Sequence, residues 1–240
     1  MLSSQRVRVI FLGVAFFVGL NSAPGAAERS ATDSHIAYYQ RLLQRNPQNP
    51  RAYYGLGDAL IRKARETGDP SYFNRAEQAL NKSLEIHPNN PGAIRHLSYV
   101  FYSRHEFEAA AARAGKAIEM DPADGDAYGI LGDALMETGE YEKAKEAYDK
   151  MMQQEKSLYS YSRRAGLKSM RGDSAGAIAD LERAIAASKA SKQPAESIAR
   201  VQWQLGSDHF ALGQLAGAES FYRQALETYP DYYRALASLA

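Results

Sequence analysis

The residues able to do chemistry are few, and their spacing does not assemble a reaction centre. The five histidines are His35, His87, His96, His105 and His209, and no two stand at the i, i+4 spacing with an intervening glutamate that a helical zinc site needs. The chain has no cysteine, which removes thiol nucleophiles, thiolate ligands and disulfides. No glycine-rich phosphate loop and no G-x-S-x-G elbow is present. Asp133 and Glu137 lie one helical turn apart, but a carboxylate pair becomes an acid/base device only when buried, and an exposed helix face gives it no such shift. Arg171-Gly172-Asp173-Ser174 has the form of an adhesion tetrapeptide, yet a turn followed by a helix cap calls for the same residues. Asn81-Lys82-Ser83 is a glycosylation sequon placed in mid-helix. The expectation is a chain that is not an enzyme and holds no metal or cofactor.

Composition points the same way. Of 240 residues, 45% are apolar and 24% charged, ordinary values for a folded domain. Lys and Arg number 29 against 28 acids, so bulk charge demands no polyanion, and nucleic acid is disfavoured as a partner.

What must position any functional residue is a repeat. Ala76, Ala110, Ala144, Ala177 and Ala218 open similar apolar patterns at separations of 34, 34, 33 and 41. The pairs Leu56-Gly57, Leu131-Gly132 and Leu205-Gly206 keep step with them, with Leu97-Ser98 as a near match and Arg164-Ala165 as the weakest. Gly139, Gly172 and Gly213 fall where first helices should stop in a left-handed cap, and Pro47, Pro88, Pro122 and Pro230 where second helices should end. The first unit carries seven extra residues around Thr67 to Pro70, and the boundary between fourth and fifth units seven more near Ser188 to Glu196. Seven residues make about two helical turns, so each insertion lengthens a hairpin while returning the apolar stripe to the same face.

This pattern resembles the tetratricopeptide-repeat family, most cleanly in Tyr128, Leu131, Gly132, Leu135, Gly139, Ala144 and Tyr148. The resemblance implies an all-α, right-handed superhelical solenoid of antiparallel helix pairs, with about five repeats and a half-repeat at each end. The units fall at about 50–90, 91–124, 125–157, 158–195 and 196–230, after a linker and lone helix over 28–49 and before a last helix over 231–240. Glycine or alanine is expected where paired helices approach closest, and Tyr39, Tyr128, Tyr148 and Tyr222 are expected to fill gaps in the core.

In this family the first helices line a concave groove. Projection on a 3.6-residue period puts Tyr54, Arg95, Tyr99, Tyr102, Asp133, Glu137, Tyr159, Trp203 and Phe210 on that face. Aromatic and arginine side chains are the types that dominate binding hot spots, and Arg95, Tyr99 and Tyr102 at i, i+4 and i+7 form the expected centre. The Lys and Asn set with which some members grip a C-terminal carboxylate is absent. The implied function is a protein-interaction scaffold or adaptor taking a protein or peptide. The alternative is an accessory subunit delivering polysaccharide or peptide to an envelope enzyme. The apolar last helix adds a possible homodimer contact.

At the N-terminus, Arg6 and Arg8 precede an apolar run from Val9 to Leu20, followed by Gly25-Ala26-Ala27. Twelve residues rise about 18 Å, well short of a membrane core of about 30 Å. The segment 1–27 therefore reads as a secretory signal cleaved after Ala27, giving a periplasmic or secreted protein with no stable span; an uncleaved anchor is the alternative.

Overall fold

The structure, a computed structural model, describes residues 31–240; the apolar run and its expected cleavage point lie outside the described residues. Those residues form twelve helices and no strand. They are α1 (Ala31–Arg45), α2 (Pro50–Thr67), α3 (Ser71–Ile86), α4 (Pro91–Ser103), α5 (Phe107–Met120) and α6 (Gly125–Glu137), followed by α7 (Tyr141–Gln154), α8 (Leu158–Met170), α9 (Ser174–Ala190), α10 (Ala195–Ala211), α11 (Leu215–Thr228) and α12 (Tyr233–Leu239). Pairs form between α2 and α3, α4 and α5, α6 and α7, α8 and α9, and α10 and α11, with α1 resting on α2 and α12 on α11. The first helices of neighbouring pairs also touch, α2 to α4, α4 to α6, α6 to α8 and α8 to α10. The fold is an all-α solenoid with an inner layer of first helices.

Local chemistry sets the ends of the helices. Asn49, Asn90 and Asp124 each accept a hydrogen bond at 3.1 Å from the amide three residues on, capping α2, α4 and α6. Pro50 and Pro91 fill first-turn positions whose amides would be unpaired anyway. In the turns closing α6, α8 and α10, Gly139, Gly172 and Gly213 have φ of 81°, 81° and 72°. The second unit has no glycine there, and His105 takes the left-handed conformation instead, at φ 62°.

Packing within a pair interlocks a missing side chain with a large one. A Cβ on Gly132 would lie 2.4 Å from Cε1 of Tyr148, one on Gly206 2.5 Å from Cε1 of Tyr222, and one on Gly57 2.6 Å from Cγ of Leu80. Each glycine vacates the space its partner fills. Where serine replaces glycine, Ser98 is wholly buried and its hydroxyl donates to the Ala110 carbonyl at 2.8 Å. In the fourth unit Arg164 stands where the others have leucine, and α9 answers with a buried carboxylate, Asp180. Arg164 donates to it through Nε and Nη2 at 2.7 and 2.6 Å, and Lys168 and Arg183 add further ion pairs. Burial alone would raise the Asp180 pKa; these three cations reverse that and hold it far below the usual carboxylate range.

The two insertions lengthen α2 to 18 residues, against 13 in α4 and α6, and α9 and α10 to 17 each. The extra turns meet. Arg65, in the last turn of α2, donates to Glu196 in the first turn of α10 and, at 2.8 Å, to the Ser197 hydroxyl. Each charge also suits the end of its own helix, the cation at a C-terminus and the anion at an N-terminus. Tyr233 of α12 lies against the turn at Gly68, 3.4 Å from where a Cβ would stand. The curved stack thereby closes upon its own first unit, and its concave face becomes a lumen.

Candidate protein-interaction lumen

Two adjoining chambers of about 260 and 270 Å³ occupy the lumen and share Arg65, Tyr99, Tyr159 and Arg163 in their walls. The first lies among α2, α4, α6 and α8. Asp58, Arg62 and Arg65 enter it from one stripe of α2 at i, i+4 and i+7. Arg95 binds both oxygens of Asp124, at 3.0 and 3.1 Å, while Asp124 also caps α6, so α4 is tied to the start of the next first helix. Asp126 adds a contact to Arg95 at 3.6 Å. His96 stands 3.5 Å from Asp58 and packs against Tyr54, with ring centroids 5.1 Å apart. Burial, helped by the Arg95 charge, lowers the His96 pKa to about 4. Its imidazole is therefore neutral near neutral pH.

Behind this chamber Asp133 joins three helices. It accepts from Nε of Arg163 at 2.9 and 2.8 Å and from the Tyr148 hydroxyl at 2.9 Å. Burial works against the Arg163 charge, and the Asp133 carboxylate more than restores it.

The second chamber opens among α4, α8, α10 and α12. Tyr99, Tyr102 and Tyr159 line it together with Arg200, Tyr232, Tyr233 and Arg234. The Tyr159 hydroxyl lies 3.1 Å from that of Ser197, next to the Arg65–Glu196 closure. Burial raises the pKa of Tyr102, and that of Tyr232 to about 12, so both remain protonated donors.

Of the groove residues expected from sequence, Arg95, Tyr99, Tyr102 and Tyr159 line the lumen. Asp133 stands one layer behind, committed to Arg163 and Tyr148. Tyr54 backs His96, and Glu137 lies exposed at the rim, 3.4 Å from the Tyr102 hydroxyl. Two residues stand elsewhere. Trp203 packs beneath α12, where its indole donates to Ser238 at 3.0 Å and the Arg234 guanidinium covers its ring. A step of 100° aimed it at the groove, but the terminal helix occupies that space. Phe210 is 61% exposed at the end of α10, outside both chambers. Sequence reasoning missed Arg65, His96, Arg163, Glu196 and the Tyr232-Tyr233-Arg234 run. Arg65 and Arg163 were within reach, since they continue the Asp58 and Tyr159 stripes by seven and four residues. Among the described residues no group of three or more His, Cys, Asp or Glu is arranged to hold a metal.

Comparisons with known proteins converge on one architecture. Family models described as tetratricopeptide repeat match residues 36–91, 101–165 and 171–233. Small glutamine-rich tetratricopeptide repeat-containing protein 2 of Mycosarcoma maydis is 35% identical over 78 residues, 32% of this chain, and the match spans 22% of that protein's length. A solved structure of the APC/C hetero-tetramer Cut9-Hcn1 superposes with a TM-score of 0.72 at 16% identity, over 83% of this chain and 37% of that one. A thermophilic TPR protein of Thermus thermophilus gives 0.68 at 17% identity, over 80% and 99%. At these identities the structural likeness establishes the fold. With helix pairs, glycine-for-ring interlocking and family-model matches across most of residues 36–233, the chain belongs to the tetratricopeptide-repeat family.

Proposed function

We propose that this protein is an adaptor of the cell envelope or its exterior that holds an extended segment of a partner protein in its lumen. Tetratricopeptide repeats bind proteins and peptides, and the observation that carries the reading here is the wall of the second chamber. Tyr99, Tyr102, Tyr159 and Tyr232 come from two first helices and the terminal turn to one space. Tyrosine offers large contact area and a hydrogen-bonding tip for the freezing of only two torsions. The carboxylates Asp133 and Glu196 are held in ion pairs, which leaves them as struts rather than as acids or bases. A lumen closed by Arg65 and Glu196 admits an extended chain more readily than a folded domain. Placement outside the cytoplasm rests on the apolar run from Val9 to Leu20 and the small residues that follow it.

The test is site-specific photocrosslinking in the native host. A benzophenone side chain at Tyr99 or Tyr159 is expected to yield discrete protein adducts that the same probe at Phe210 does not. The Tyr99→Ala/Tyr159→Ala variant is expected to lose the recovered partner while keeping its helical circular dichroism. Adducts from Phe210 alone, or a folded double variant with undiminished partner recovery, would overturn the assignment.

A further inference from the structure

We infer that the second chamber recognises acidic side chains, so that the segment it holds is rich in Asp and Glu. The inference rests on the lumen being the binding site and adds the chemistry of what it takes. Its wall carries four guanidinium groups, Arg65, Arg163, Arg200 and Arg234, against one carboxylate, Glu196. Glu196 is already claimed by Arg65, and Arg163 is neutralised from behind by Asp133. Arg200 and Arg234 make no ion pair with a carboxylate among the described residues. Arg200 reaches only the Ser162 hydroxyl there, at a long 3.4 Å.

Arg234 is held in place without being neutralised. Its guanidinium lies over the Trp203 ring at 5.2 Å and over Tyr233 at 5.8 Å, and its Nε donates to the Tyr233 hydroxyl at 3.2 Å. Aromatic faces orient a guanidinium while leaving most of its donors unspent. The phenol of Tyr232 adds a protonated hydroxyl to the same wall, while that of Tyr102 donates to Glu137 at 3.4 Å. A space faced by unspent N–H and O–H donors, with its own carboxylate occupied, is complementary to a carboxylate, which only accepts. The charge of an acidic segment also steers its encounter with this wall.

The experiment is fluorescence anisotropy of the chain with a fluorescein-labelled, C-terminally amidated peptide of alternating Glu and Ala, compared with its Lys-Ala counterpart and an oligo-dT strand. Saturable binding of the acidic peptide is expected, with none of the basic one. Amidation separates side-chain from terminal carboxylate, so binding that appears only with a free C-terminus refutes the inference. The Arg200→Gln/Arg234→Gln variant should weaken binding at least tenfold, whereas Arg223→Gln, on an exposed face of α11, should leave it unchanged. Arg234→Gln alone, at an exposed side chain, keeps the test valid if the double variant fails to fold, and should weaken binding at least threefold. Equal loss with Arg223→Gln, or an oligo-dT affinity matching that of the peptide, would show generic polyanion attraction and overturn the inference. If no acidic peptide binds while the Tyr99 crosslink still captures a partner, the acidic preference is wrong and the lumen assignment stands.

Discussion

Replacing Asp133 with alanine removes the acceptor of two bonds from Arg163 and one from Tyr148. Arg163 is left with 17% of its side chain exposed and Asp133 has 16%, so water re-solvates the stranded guanidinium poorly. Breaking a buried ion pair from one side costs about 3–5 kcal/mol, and the residual exposure puts this pair near the lower end, about 3 kcal/mol. For a chain of this length that lowers the melting midpoint by about 6–12 °C. Arg163→Met should cost a similar amount. The double variant should recover much of the loss, because removing both charges leaves neither stranded; a cycle of the three should return a coupling of at least about 1 kcal/mol. Thermal melts followed by circular dichroism measure all of this. A loss below about 1 kcal/mol for Asp133→Ala, or additivity in the cycle, would refute the view that Asp133 is a strut between first helices and return it to the surface available to partners.

Two further outcomes follow from packing and from burial. Gly206→Ala should destabilise by about 1–3 kcal/mol, since its Cβ would sit 2.5 Å from Tyr222 and 3.1 Å from the Ala218 carbonyl oxygen; Gly115→Ala, with nothing within 4 Å, should raise stability by up to about 1 kcal/mol through helix propensity, and urea melts compare the two. His96 has its pKa depressed from 6.5 to about 4 in the folded chain, so the unfolded chain takes the proton first. Stability is fully present above about pH 6.5 and falls on the order of 3 kcal/mol as pH drops towards 4; a His96→Gln variant with the wild-type slope in that window would show that another group is responsible.

The fold was legible because the repeat states its own geometry many times over. Gly132, Gly206 and Gly57 announce close approaches, and the same alanine spacing fixes the register of pairs. Even the weak fourth unit keeps its register, with Arg164 answered by Asp180 from α9. The lining of the lumen was legible in part, since a helical stripe can be counted along a single helix. Which charges neutralise one another was not. Arg95 with Asp124 and Arg163 with Asp133 join residues 29 and 30 apart on neighbouring helices, and many acids stand at similar distances. The surroundings of Trp203 were hidden for a different reason: α12 lies over it, and no pattern within α10 announces that helix. The contact of Arg65 with Glu196, 131 residues away, depends on curvature accumulated over every intervening helix, and no local pattern carries that sum.

That same contact changes how the molecule should come apart. In an open stack each unit touches only its neighbours, and the end units unravel singly at small cost. Here an end is not an end, because α2 cannot loosen without stripping the partner from Glu196 and Ser197 at the head of α10. Local openings of the first and fifth units are thereby coupled although three repeats separate them, so amides at the end of α2 and the head of α10 should both exchange faster in an Arg65→Met variant. Closure also belongs to the last stage of folding, since it must wait until the helices between have set the curve. A chain assembled from local contacts thus acquires, through one side chain, a long-range step.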